Sequence, residues 1–488
     1  MAGSVSRLTF YTSHITQGIF QSGRIPLSRF RQHLWIATLL LVLWNCTTFA
    51  QGPRTLTLEE SIEIARQTNL SIQTAQERVK SAEAQVRSTR AGLLPHVSIS
   101  GNYRYTKDLP KTVLQASGGL GLQEAGGGMP APADTGGGTD TSNVIELEFG
   151  AHRNFSGEAS LRQPIFAWGR YYYNYQSAKL SSDAARKELE AAYNQLVLDV
   201  SEAFYSVLLA TEFVKVNQQT VDLVAQQLKI ARNLFDAGAS TNFDVLRAEV
   251  SLANAKSNLI RAKNQTRIAK NAYKNVLNIN LGEEVEVQGR LDRPESELNL
   301  DTLIQNAMEK RPEMHQFELT ERAQKKRVDV AKTGNRPDLS FFTNYQIEDN
   351  ERLEKMNRIW NVGLALNFPI FDGFATRSAV QQAESGLKQI TIGKQQLIDN
   401  IEFEVRSTYL NLLETKALID VQKETVAQAQ ESVRIANLRY GNGMITSIEL
   451  TDAQLALAQA EVNRLQSLHD YVVGLSRLEK AIGQTLQK

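Results

Sequence analysis

Two short runs hold the residues best spaced for chemistry: Gly238-x-x-Thr241-x-x-Asp244 and Gly443-x-x-Thr446-x-x-Glu449-x-x-Asp452. Threonine followed three residues later by a carboxylate, just after a glycine turn, marks the start of a helix. The hydroxyl and carboxylate satisfy free backbone N–H groups, and the charge suits the helix dipole. Asp452 lies beyond the cap and is available for another role. Catalytic patterns are not found. His96, His152, His315 and His469 fall in separate segments, and Cys46 is the only cysteine. There is no metal-ligand spacing, nucleophile elbow or phosphate loop. The sequence thus predicts no enzyme, no cofactor and no metal site.

A chain of 488 residues carries these runs, with 54 Lys+Arg against 53 Asp+Glu. That balance offers no basic surplus for a nucleic-acid partner. Prolines are absent from 165–293 and 370–488. Proline breaks helix interiors, so both spans permit very long helices. An alternating α/β enzyme would need many more turn signals.

Residues 1–50 read as a signal peptide. No acidic residue precedes Glu59, Arg7, Arg24, Arg29 and Arg31 stand before the apolar run Leu34–Leu43, and Thr48-Phe49-Ala50 resembles a cleavage site. The run is too short to span a bilayer as a helix. Trp44-Asn45 fits poorly before a lipidated cysteine, so Cys46 is assigned to the discarded peptide.

The remaining chain is duplicated. Leu58, Ile62, Ala65, Pro95, Ser98 and Tyr103 match Leu300, Ile304, Ala307, Pro337, Ser340 and Tyr345 at an offset of 242. Pro164-Ile165-Phe166, Gly238, Thr241 and Ala248 match Pro369-Ile370-Phe371, Gly443, Thr446 and Ala453 at an offset of 205. The difference of 37 is a glycine-rich insert in the first copy, a flexible loop over about 106–150. The first repeat is assigned to 51–290 and the second to 291–488.

Each copy changes period along its length. Alternation of apolar and polar residues predicts strands over about 97–105 and 155–166, then 338–347 and 360–371. Such strands suit half-buried sheets and transmembrane barrels alike. Tyr193, Val200, Val207, Val214, Val221, Leu228 and Phe235 then recur every seven residues, as do Ile398, Val405, Leu412, Ile419, Val426, Val433 and Tyr440. Sustained heptads predict long helices over 170–238 and 374–441, about 100 Å each, with return helices over 241–279 and 446–482. The segments 70–94 and 312–336 are expected to stack end to end with the return helices alongside the long ones. The stretches 51–69, 280–311 and 483–488 are left for a girdle at mid-height.

A signal peptide, a duplicated strand–long-helix unit and distal glycine turns together resemble the TolC-like outer membrane efflux family. The similarity covers about 53–485, led by Gln163-Pro164-Ile165-Phe166, by Phe368-Pro369-Ile370-Phe371-Asp372-Gly373, and by the Tyr440-x-x-Gly443-x-x-Thr446-x-x-Glu449 turn. The resemblance implies a mainly α fold with β: a homotrimer with one 12-stranded transmembrane β-barrel, continued by a 12-helix periplasmic α-barrel and a mixed equatorial girdle. It implies a passive outer membrane exit duct for efflux or type I secretion, served by a periplasmic adaptor and an inner-membrane pump. Apolar strand faces would meet outer membrane lipid. Ser98, Asn102, Ser160, Arg162, Asn361 and Asn367 would face the lumen, and the glycine-rich loop would lie outside the cell.

Trp168, Tyr171, Tyr172, Tyr173 and Tyr175 would form an aromatic girdle or pack between helices. The family closes its pore at the helix tips, which puts Glu449, Asp452, Tyr440 and Asp244 at the gate, with Phe235 as the counterpart of Tyr440. The family's locking arginine would fall at Ile445, and Arg439 or Arg247 is the available substitute. The competing reading is a periplasmic coiled-coil adaptor, although adaptors usually carry one hairpin rather than two fed by amphipathic strands.

Overall fold

The structure is a computed structural model that describes residues 54–115, 144–148, 151–292, 298–350 and 356–484. The expected leader with Cys46 and most of the glycine-rich stretch lie outside the described residues. In chain order the first repeat comprises β1 (Arg54–Leu56), α1 (Leu58–Thr68), α2 (Leu70–Ala91), β2 (His96–Tyr105), β3 (Lys111–Gln115), β4 (Val144–Glu148), β5 (Arg153–Phe166), α3 (Arg170–Asp236) and α4 (Asn242–Val276). There follow β6 (Val285–Val287), α5 (Leu300–Lys310), α6 (Pro312–Ala331), β7 (Asp338–Asn350), β8 (Asn357–Asn367), α7 (Ala375–Gly441) and α8 (Ser447–Ile482). Residues 54–55 and 284–286 belong to a small unit in which β1 pairs with β6. Every other described residue belongs to one larger unit. The ribbon β3–β4 occupies part of the stretch expected to be only loop, because Lys111–Gln115 and Val144–Glu148 pair antiparallel.

Four antiparallel strands form the main sheet in the order β2-β5-β7-β8. Register turns the alternation of each strand into rows across all four. Val97, Leu161, Thr343 and Val362 share one row, and Ile99, Ala159, Tyr345 and Trp360 the next but one. Between them runs Ser98, Ser160, Asn344 and Asn361, and Ser98 and Ser160 share a 2.7 Å hydrogen bond. One face is therefore apolar and the other polar over the full width of the sheet. Val97, Ile99, Trp360, Val362, Leu364 and Leu366 all remain exposed.

Proline acts differently in the two repeats. Beyond Arg162, β5 pairs only with β7, so Pro164 sits at a register shift where its missing N–H removes little. β8 instead stops at Asn367, short of the expected 371, since Pro369 cannot continue the ladder.

Sharp turns join each last strand to its long helix. Trp168 and Gly169 have φ of 51° and 80°, and Gly373 and Phe374 have φ of 63° and 68°. Bulky residues pay a steric penalty there. Ring packing holds them: Phe166 meets Trp168 edge-on at 5.2 Å, Phe371 meets Phe374 at 5.6 Å, and the Arg336 guanidinium lies 4.8 Å over Trp168. Among the tyrosines expected at the girdle, Tyr172 is exposed, whereas Tyr173 lies under Lys326.

The heptad residues form the seams. Val405, Leu412, Ile419, Val426, Val433 and Tyr440 are buried along α7, as are Val200, Val207, Val221 and Leu228 along α3. The upper part of α3 is flanked by α2 through Arg78–Glu188 and Arg186–Glu83. Its lower part is flanked by α4, where Arg232 meets Glu249. The second repeat has the same plan: Lys394 links α7 to Glu318 on α6, and α8 follows lower down. The two repeats join where α3 packs against α6 and α8. Exposed apolar residues remain on the two flanks, with Leu246, Val250 and Ile260 on α4 and Phe403, Leu410 and Val421 on α7.

The largest apolar cluster gathers α5, the middle of α7 and the end of α8, around Leu303, Ile401, Leu475 and Leu478. Beside it lies an ion cluster centred on Arg311, whose side chain is only 4% exposed. It donates to Glu404 at 2.6 Å and to Glu313 at 3.1 Å, and Lys480 also donates to Glu404 at 3.0 Å.

Candidate functional site at the helix tips

The turns at the ends of α3 and α7 are built alike. Gly238 and Gly443 have φ of 71° and 67°, which a Cβ would strain. Ala239 N donates to Leu234 O at 2.8 Å and Met444 N to Arg439 O at 2.9 Å, the helix-ending bond that a left-handed residue allows. Both return helices then open with a reciprocal cap. Thr241 Oγ1 accepts from Asp244 N, and Thr241 N donates to the Asp244 carboxylate at 3.1 Å. Thr446 and Glu449 repeat the exchange at 3.3 and 2.8 Å.

Capping is only part of what Asp244 does. It also accepts from Ser240 Oγ at 2.8 Å. The Thr241 and Ser240 hydroxyls hold its carboxyl below the usual range, and Ser447 of the second hairpin adds to this. Thr446 holds Glu449 low in the same way, through its backbone N–H first. Tyr440 is 4% exposed, packed with Ala436 and Leu450 against Ile230 and Leu234 of α3. Burial pushes its hydroxyl pKa up, and the Asp244 charge pushes the same way. The tips thus pack Tyr440 of the second hairpin on Ile230 and Leu234 of the first, within reach of the Asp244 charge. Glu449 and Asp452 are exposed on the first turns of α8, and Phe235 is exposed on α3.

Ile445, where the resemblance would put a locking arginine, is partly buried in the Tyr440 cluster and makes an apolar contact instead. Among the described residues neither Arg439 nor Arg247 forms an ion pair in the chain. Two ion pairs among the described residues lie near this end, Arg232–Glu249 at 2.7 Å between the arms of the first hairpin and Arg434–Glu431 at 2.7 Å within α7; the first of them crosses between helices. Sequence reasoning missed it. The signal was weak, because the two residues lie at unequal offsets from the Gly238–Thr241 turn and meet only through the packing of α3 on α4.

Among the described residues no helix is long and apolar enough to cross a membrane. The two-faced sheet presents an exposed apolar face across its full width. The model of the outer membrane efflux protein family matches residues 61–278 and 303–484. The outer membrane protein TolC of Vibrio cholerae is 22% identical over 360 residues, 70% of this chain and 81% of that protein. The cobalt-zinc-cadmium resistance protein CzcC of Cupriavidus metallidurans is 25% identical, covering 67% and 77%. Among solved structures, the Campylobacter jejuni CmeC outer membrane channel superposes with a TM-score of 0.72 at 17% identity, covering 88% of this chain and 87% of that one. The chain belongs to the outer membrane efflux protein family. It is an outer membrane efflux or secretion channel.

Proposed function

We propose that three copies of this chain pool their sheets into one 12-stranded barrel and their helices into a 12-helix tube, forming a passive exit duct. The observation that carries this reading is the open sheet. Its apolar rows end at β2 and β8, each paired on one side only among the described residues. An open edge cannot face hydrocarbon, because its N–H and C=O groups would go unsatisfied. Pairing β8 of one copy with β2 of the next removes every edge. The exposed apolar stripes on α7 and α4 then meet in the same junctions.

The tips form the gate. Glu449 and Asp452 from three copies make two carboxylate rings that attract cations, while Tyr440 and Asp244 hold the second hairpin against the first. An inner-membrane pump and a periplasmic adaptor supply energy and release that contact. The apolar face meets outer membrane lipid. A periplasmic adaptor, the rival reading, would leave the membrane on salt and alkali washing, whereas this chain is expected to stay.

Planar-bilayer conductance tests the gate. Each carboxylate attracts a cation about 4 Å away by about 1 kcal/mol even in water. Replacing Glu449 by Gln and Asp452 by Asn is therefore expected to weaken divalent-cation block by about tenfold or more. Unchanged block in the double variant would remove both residues from the constriction.

A further inference from the structure

Close to the tips, the first two turns of α8 meet α3 and α4 at an open-sided cavity of about 200 Å3. Its polar lining is uncharged: Thr220 from α3, Ser251, Asn254 and Asn258 from α4, and Thr451 and Gln454 from α8. Gln454 is 3% exposed, and neither its Nε2 nor its Oε1 has a hydrogen-bond partner. Beside it, Gln227 donates to Thr451 Oγ1 at 3.1 Å but leaves its own Oε1 unpartnered. A buried amide with no partner is costly, so such groups ordinarily face water or a ligand.

We infer that this cavity is a binding site for a compact, uncharged carboxamide or lactam. Gln454 presents a donor and an acceptor side by side, and the complementary group is another amide, which pairs through two hydrogen bonds. No Lys, Arg, Asp or Glu lines the cavity, so an ionic ligand would lose hydration without gaining a partner. Val224 and Ala255 supply an apolar wall for a small hydrocarbon ring. The bland occupant is water, of which the volume would hold about six molecules. A ligand that restores both amide bonds while placing a ring on that wall releases those waters. The walls come from both hairpins, so an occupant ties α8 to α3 and α4. That consequence for conductance rests on the proposed gate, whereas binding itself does not.

The test uses the full-length channel in detergent, with glutamine side-chain amides labelled for NMR and benzamide as the probe. Benzamide is expected to bind saturably and shift a side-chain amide signal that disappears in Gln454→Leu. Acetophenone, which keeps the ring and the acceptor but lacks the donor, should bind at least about tenfold more weakly. Gln454→Leu should weaken benzamide by a similar factor. If that variant does not assemble, Ser251→Phe fills the cavity from α4 and is expected to abolish binding. No saturable binding to the native channel would show a water cluster only and overturn the site. Equal binding of benzamide and acetophenone, or undiminished binding in the variants, would overturn it too. Binding without a fall in bilayer conductance would count against the gate and leave the site standing.

Discussion

Val362→Arg is expected to abolish stable assembly in the outer membrane. Val362 sits at the centre of β8, exposed, in the apolar row that continues through Thr343 and Leu161 to Val97. An arginine facing lipid at mid-depth of a barrel costs about 2–4 kcal/mol. Three copies would together lose about 6–12 kcal/mol. The neighbouring residue supplies the control. Asn361 belongs to the opposite, polar row, so Asn361→Arg should assemble normally and alter only ion selectivity. Membrane fractionation with heat-modified gel mobility reads both outcomes. Equal tolerance of the two variants would mean that the faces are assigned wrongly.

The second large effect is expected far from the membrane, in the ion cluster at Arg311. Glu313→Gln together with Glu404→Gln leaves the Arg311 charge buried without an anionic partner, at a cost of about 3–5 kcal/mol. Arg311→Met should cost less, because Glu313 and Glu404 reach solvent in part and Glu404 keeps Lys480. The cluster also sets a pH dependence. Burial alone would raise the Glu404 pKa, but hydrogen bonds and charge from Arg311 and Lys480 outweigh it and hold the carboxyl below the usual range. A carboxylate depressed in the folded state adds stability above its unfolded pKa and loses it as the pH falls through the folded value. The thermal stability of the solubilised channel should therefore fall as the pH drops below the ordinary carboxylate range, and Glu404→Gln should flatten that decline. A native melting profile with the same acid slope as Glu404→Gln would show that the cluster does not contribute.

Much of this was legible because the informative patterns are local or repeated. The heptads of α3 and α7 name most of their own buried seams, and Gly238 and Gly443 mark the turns by a left-handed conformation that glycine adopts without steric cost. The cap pairs Thr241–Asp244 and Thr446–Glu449 follow from three-residue spacing. What stayed hidden depends on segments distant in sequence. Arg311, Glu404 and Lys480 meet only once α6, α7 and α8 pack. The duplication obscures them further. Asn69, the counterpart of Arg311, has nearly the same φ and ψ (−66° and 128° against −65° and 126°) but caps α2 with its amide and holds no ion pair among the described residues. The identical backbone carries different chemistry, so similarity between the repeats could not reveal it. Pro164 and Pro369 make the same point for strand ends, since their effect depends on which side of the strand is paired.

Where Asp244, Tyr440, Glu449 and Asp452 lie relative to the pore depends on how copies of the chain assemble. The mass of the functional species, solubilised from the outer membrane and measured intact, therefore bears on the central claim more directly than any substitution. Three chains, with channel activity in the same fraction, is the predicted result. A conducting single-chain species, or a water-soluble monomer that carries the activity, would contradict it.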